Sequence, residues 1–136
     1  MTCTLRETVP ETYPTVLVVD DEPDVRDLAR AILEMGGFQV VDEAEDGNQA
    51  LTRFVDLAPP PMPTVVLLDN RMPGLSGLRV AEEMLHHNPE QMIILFSAHL
   101  DGDVEERAKE IGVAACVSKM DAPRLPEILR RILPEG

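Results

Sequence analysis

Four apolar runs along this chain each end in a polar residue. Val16 to Val19 runs into Asp20-Asp21, Val65 to Leu68 into Asp69, Ile93 to Phe96 into Ser97, and Ala114 to Val117 into Ser118-Lys119. Short apolar runs separated by helical patterns read as buried parallel strands. The helical patterns are present. Val25, Leu28, Ala29, Ile32 and Leu33 share one face of a helix over 23–35, which Gly36-Gly37 stops. Phe38 to Val41 reads as a second strand. A second helix starts near Gly47 with Asp46 as its N-cap and Ala50, Leu51, Phe54 and Val55 as its buried face. The third spans 78–87 before Asn88-Pro89, and the fourth spans 102–111 before Gly112. Leu125, Ile128, Leu129 and Ile132 mark a fifth, whose first turn Pro123 and Pro126 restrict.

Five alternations of strand and helix predict a three-layer α/β sandwich with a parallel sheet and right-handed crossovers. Such a sheet delivers its strand carboxyl ends to one edge, where open α/β sheets place their sites. Three carboxylates, a hydroxyl and an ammonium then meet at one point, suited to a divalent cation and a transferable anionic group.

Composition narrows this further. A chain of 136 residues fits one domain with a real core. With 44% hydrophobic residues but only 3% aromatic, that core is aliphatic. A formal charge of -13 argues against direct nucleic-acid binding, because phosphate backbones need Lys and Arg. Met1 to Pro14 reads as a flexible N-terminal tail before a domain over 15–136. Pro59 to Pro63 holds four prolines and reads as a stiff polyproline loop, with an SH3-type ligand as the weaker alternative. Two cysteines, Cys3 and Cys116, indicate no disulfide framework. The start Met1 to Arg6 lacks the apolar stretch of a signal peptide. No run reaches the roughly 18 apolar residues of a membrane span. The expectation is a cytoplasmic domain with no membrane association.

The spacing resembles the receiver domain of bacterial two-component response regulators from about Thr15 to Leu133. The matching residues are the acidic pair Asp20-Asp21, Asp69 followed by Met72-Pro73 and Gly77, Ser97-Ala98, and Lys119. The resemblance implies a flavodoxin-like (βα)5 fold with strand order 2-1-3-4-5. It implies Asp69 as the phosphoacceptor, forming an aspartyl phosphate, with Lys119 and Ser97 contacting the phosphoryl group. It implies Mg²⁺ held by Asp21, Asp69 and the backbone carbonyl of Arg71, with Asp20 acting through a water. Arg71 and His99, two residues after Asp69 and Ser97, would flank the phosphoryl group and tune its lifetime.

The implied partners are a histidine kinase or histidine phosphotransfer protein. The first helix, with Asp24, Arg26, Asp27 and Arg30 outward, is a candidate surface for one. An output protein or second copy would use the fourth helix, fifth strand and fifth helix. The implied role is a signalling module, not an enzyme acting on a free substrate. A metal-dependent phosphatase would use the same acidic cluster, but its Asp-x-Asp-x-Thr arrangement is missing from this chain. A receiver that binds partners without phosphorylation is the third reading.

Two positions depart from the family pattern. Met120 stands where a proline in a cis peptide is common, and a cis bond before another residue costs roughly 2.5–4 kcal/mol. The loop is therefore either trans and re-routed or strained. Cys116 stands where an aromatic switch residue is common, and is expected as a buried, inert thiol. His86-His87 is expected as a solvent-facing pair.

Overall fold

The computed structural model describes residues 14–56 and 63–133. The predicted tail, save Pro14, and all of the proline run except Pro63 lie outside them. The elements are β1 (Thr15–Val19), α1 (Pro23–Met35), β2 (Gln39–Ala44), α2 (Gly47–Asp56), β3 (Val65–Leu68), α3 (Gly77–His87), β4 (Met92–Ser97), α4 (Gly102–Ile111), β5 (Ala115–Ser118), a 3-10 segment (Lys119–Arg124) and α5 (Leu125–Ile132). All strand pairings are parallel, in the order β2-β1-β3-β4-β5. This is the flavodoxin-like arrangement expected from the sequence. No helix among the described residues is long and apolar enough to cross a membrane.

Side chains alternate across the sheet and build two cores. Val16, Val18, Leu67, Ile94 and Phe96 pack with Ala29, Leu33, Leu125 and Leu129, so α1 and α5 cover one face. Leu17, Val19, Leu68, Ile93 and Leu95 pack with Ala50, Phe54, Ala81, Met84 and Ala108, so α2, α3 and α4 cover the other. The β1, β3 and β4 runs are apolar at every position because both faces are roofed.

The helix ends follow local chemistry. Pro23 opens α1, where a missing N–H costs nothing. Asp46 accepts from the Gln49 N–H at 2.8 Å, as expected for the start of α2. Ser76 accepts from Arg79 N–H and Asp101 from Val104 N–H. Gly112, at φ 112°, ends α4 in the left-handed conformation that favours glycine. The restricted start of α5 resolves into the 3-10 segment, with Pro123 inside it and Pro126 in the first turn of the helix proper.

Several expectations are corrected. β2 runs to Ala44, past the predicted Val41, because an edge strand needs burial on fewer sides and tolerates Asp42 and Glu43. Its pairing with β1 slips between Val16 and Leu17, which face Val40 and Asp42, so Val41 bulges out. Leu28 and Val55, expected inside, are 52% and 48% exposed. Each lies about 100° round its helix from a buried neighbour, Ala29 and Phe54, at the fringe of the apolar stripe. Arg26 and Arg30, expected to point outward, turn back onto Glu43 of β2. His86 and His87 face solvent, as expected.

A buried amide went unnoticed in the sequence. Gln91 Nε2 donates to the carbonyls of Pro63, Thr64 and Met92, tying the entry of β4 to that of β3. At the other end of these strands, Gly77 admits the start of α3 against the loop after β3. A Cβ there would lie 2.2 Å from the Asp69 carbonyl oxygen and 2.7 Å from Asn70 Cα. Both are backbone atoms that cannot swing aside.

Gly77→Ala should therefore destabilise the protein by about 1–3 kcal/mol, the usual cost of overpacking, read as a lower Tm in thermal melts. Gly102→Ala, where an added methyl meets nothing within 4 Å, serves as the control and should leave the Tm unchanged or slightly higher. Equal melting temperatures for the two variants would contradict this account.

Candidate functional site

The carboxyl ends of β1, β3, β4 and β5 carry the polar residues singled out in the sequence. Asp20 and Asp69 follow β1 and β3 directly and are 1% and 3% exposed. Asp21 is exposed, and one carboxylate oxygen from each of Asp20, Asp21 and Asp69 lies within 4.8 Å of the other two. Lys119 Nζ lies 2.9 Å from Asp20 Oδ2, 3.4 Å from Asp69 Oδ2 and 3.7 Å from Glu22 Oε1. Ser97, the last residue of β4, is buried, and its Oγ accepts from the His99 N–H at 3.3 Å. Arg71 and His99 are exposed on the rim. A cleft of about 230 Å³ is lined by Asp21, Glu22, Asp69, Arg71, Ser97, Ala98, His99 and Lys119.

Local bonding sets these positions. The Asp20 N–H donates to the Ala44 carbonyl at 3.1 Å, and Asp20 Oδ1 accepts from the Glu22 N–H at 2.9 Å. Asp20 thus shapes the turn into α1, while Glu22 occupies the helix N-cap without a side-chain bond. The Asp69 N–H donates to the Val19 carbonyl at 3.0 Å, extending the β1–β3 ladder to the acidic cluster. Lys119 opens the 3-10 segment. Ser118 Oγ accepts from the Met120 N–H at 3.1 Å, a bond proline cannot make. This is the local route the loop takes with methionine in place of proline, and Met120 itself is 89% exposed.

Glu22 was missed in the sequence. Its position beside Asp20-Asp21 was the available signal. Cys116 is half-buried, not buried as expected. It lines a separate groove of about 360 Å³ with Glu105, Ala108 and Lys109. That groove is larger than the acidic cleft but holds no cluster of carboxylates. Burial, then the Glu105 charge, push the Cys116 thiol up, which keeps it protonated.

The electrostatics of the cluster are unbalanced. Burial first, and then the Asp20 charge, hold the Asp69 carboxyl above the usual carboxylate range. Lys119 and a backbone hydrogen bond from Arg71 pull the other way without prevailing. Burial would lower Lys119, but the close Asp20 and Asp69 carboxylates outweigh it and raise its pKa. Asp20 Oδ2 is fully buried and, apart from its ion pair with Lys119, makes no hydrogen bond of good geometry. Three clustered carboxylates against one ammonium leave room for positive charge. The donors are all oxygens, one of them solvent-facing. These residues fit a small, hard divalent cation such as Mg²⁺, which is held by one or two carboxylates and keeps several waters.

The sequence pattern of the family described as "Response regulator receiver domain" matches residues 16–130. The chain belongs to that family. This receiver domain is 36% identical over 118 residues to the "Positive alginate biosynthesis regulatory protein" of Pseudomonas aeruginosa, covering 85% of this chain and 46% of that protein. The chain thus spans about half the length of that relative. The fold matches the receiver domain of "the putative response regulator NarL" from Mycobacterium tuberculosis at a TM-score of 0.73 and 30% identity, over 88% of this chain and 97% of that one. It also matches a chain of the CheX-CheY-BeF3-Mg complex from Borrelia burgdorferi at a TM-score of 0.85 and 20% identity, over 96% and 95% of the two chains.

A carboxyl with a raised folded pKa binds its proton more tightly in the native state. Its contribution to stability is complete below the unfolded pKa and is lost as pH rises through the folded pKa. Without divalent cations, Asp69→Asn should therefore melt above wild type at pH 7, and the gap should close as the pH falls through the acid range. A gain of about 1 kcal/mol would appear as roughly 3–5 °C in a domain of this size. Equal or lower melting temperatures for Asp69→Asn at neutral pH would show that the buried carboxylate carries no such penalty.

Proposed function

We propose that this receiver domain accepts a phosphoryl group on Asp69 from a phosphohistidine of a kinase or phosphotransfer protein. It then presents a changed surface to an output protein or a second copy. The observation that carries this reading is Asp69 itself: a buried carboxylate, 3.4 Å from the Lys119 ammonium, opening on a cleft lined by Ser97. An Asp69 oxygen attacks phosphorus, the phosphorus–nitrogen bond of the donor breaks, and the electron pair leaves with the histidine nitrogen. Phosphoryl transfer asks the protein mainly for positioning and for neutralising charge. Lys119 supplies one fixed positive charge beside the acceptor. Ser97 Oγ accepts from the His99 N–H, which leaves its hydroxyl hydrogen able to donate to a phosphoryl oxygen.

Asp21, Asp69 and the Arg71 carbonyl would hold Mg²⁺, with Asp20 acting through a water. The bound ion supplies further neutralisation of phosphoryl oxygens. Slow hydrolysis of the aspartyl phosphate is the remaining chemistry, which makes the domain a timed switch in the cytoplasm. Arg71 and His99 on the rim limit the approach of water to the phosphoryl group. The surface that reports the change is α4, β5 and α5.

Incubation with Mg²⁺ and acetyl phosphate or phosphoramidate should add one phosphoryl group to the intact mass, and Asp69→Asn should abolish it. Donor turnover without an adduct would favour a phosphatase, and no reaction would favour a receiver that works without phosphorylation. Replacing Arg71 and His99 together with alanine should shorten the lifetime of the adduct. An unchanged lifetime would remove them from that role.

A further inference from the structure

Outside the cleft, Arg26 on α1 and Glu43 on β2 form a partly buried pair with several further bonds. Arg26 Nη1 donates to the backbone carbonyl of Asp20 at 2.7 Å, and its Nε donates to Glu43 Oε1 at 3.2 Å. Arg30 Nε holds the other carboxylate oxygen of Glu43 at 2.7 Å. The Arg26 and Glu43 side chains are 16% and 24% exposed, against 60% and 44% for the surface pair Arg79–Glu83. The grip falls on the peptide joining Asp20 to Asp21. The preceding peptide is also fixed, because the Asp20 N–H donates to the carbonyl of Ala44, the residue after Glu43. With the carbonyl held as well, this peptide plane cannot rotate freely. Its rotation is what would swing the exposed Asp21 carboxylate away from Asp20 and Asp69.

We propose that Arg26, oriented by Glu43 and Arg30, is a positioning residue that sets the Asp20-Asp21 carboxylates for a divalent cation. The proposal rests on the cation site proposed above. The guanidinium suits the task because its rigid fork serves two partners at once, which an ammonium on a flexible stem does not. A charge-assisted bond to a carbonyl is stronger than a neutral one. Groups that orient metal ligands from outside are worth roughly 10–100-fold in metal affinity.

The sign of the effect separates positioning from charge. Arg26 repels a cation at the cluster, so removing its charge alone would tighten Mg²⁺ binding. Loss of positioning loosens it.

Mg²⁺ affinity is measured by titration calorimetry on the full chain, with circular dichroism confirming the fold of each variant. Arg26→Gln should bind Mg²⁺ about 10–100-fold more weakly than wild type. Arg26→Lys, which keeps the charge, should fall between them, and the control Arg79→Gln should match wild type. The Mg²⁺ concentration giving half-maximal adduct formation with acetyl phosphate should rise more than the maximal rate falls. Unchanged or tighter Mg²⁺ binding by Arg26→Gln overturns the proposal. If that variant does not fold, Arg26→Lys decides by the same criterion. A wild-type chain that binds no Mg²⁺ at millimolar concentration overturns the cation site itself, and this inference with it. Wild-type binding with unaffected Arg26 variants overturns the inference alone.

Discussion

The Lys119 ammonium stands between the Asp20 and Asp69 carboxylates, which have been taken almost wholly out of water. Placing two negative charges there is costly unless a counter-charge comes with them. The sheet order makes the placement unavoidable, since β1 and β3 are neighbours and their apolar runs end in register. Lys119 must then arrive from β5, two strands further along. The turn bonded between Ser118 and Met120 delivers it. A close backbone approach at Gly77 brings in the start of α3 behind Asp69. The cluster is compensated for one charge and left short for the rest, a donor set that suits a hard divalent cation.

Most of the architecture was legible because this fold writes itself in apolar runs. A strand roofed on both faces must be apolar through its middle, and β1, β3 and β4 are, with only Thr15 and Ser97 polar at an end. Their terminal polar residues then marked the site without any knowledge of contacts. What was hidden depends on pairs distant in sequence or on geometry finer than periodicity. β2 continues through Asp42 and Glu43 because it lies at an edge, which no local signal records. Leu28 and Val55 satisfied the helical period yet fell at the fringe of their stripes. The inward turn of Arg26 and Arg30 depended on Glu43, in another element. Gln91 looked like an ordinary loop residue until three carbonyls converged on it.

Two positions depart from the family pattern, Cys116 in β5 and Met120 in the 3-10 segment that follows it. Cys116 sits half-buried in the groove beside α4, with its thiol held in the protonated, weakly nucleophilic form. Met120 projects into solvent while its backbone N–H closes a turn. A small side chain at Cys116 cannot swing in and out as an aromatic ring can.

The bulge at Val41 reaches beyond β2 itself. An open sheet edge offers unpaired backbone groups to any passing strand, and proteins blunt such edges with charges and irregular pairing. In this sheet the outer strand carries a kink and the acidic pair Asp42-Glu43, in a protein of strongly negative net charge. A strand approaching that margin meets a broken hydrogen-bonding template, beside carboxylates already engaged by Arg53, Arg26 and Arg30. The irregular pairing thereby makes this border of the sheet a poor template for edge-to-edge addition of another strand.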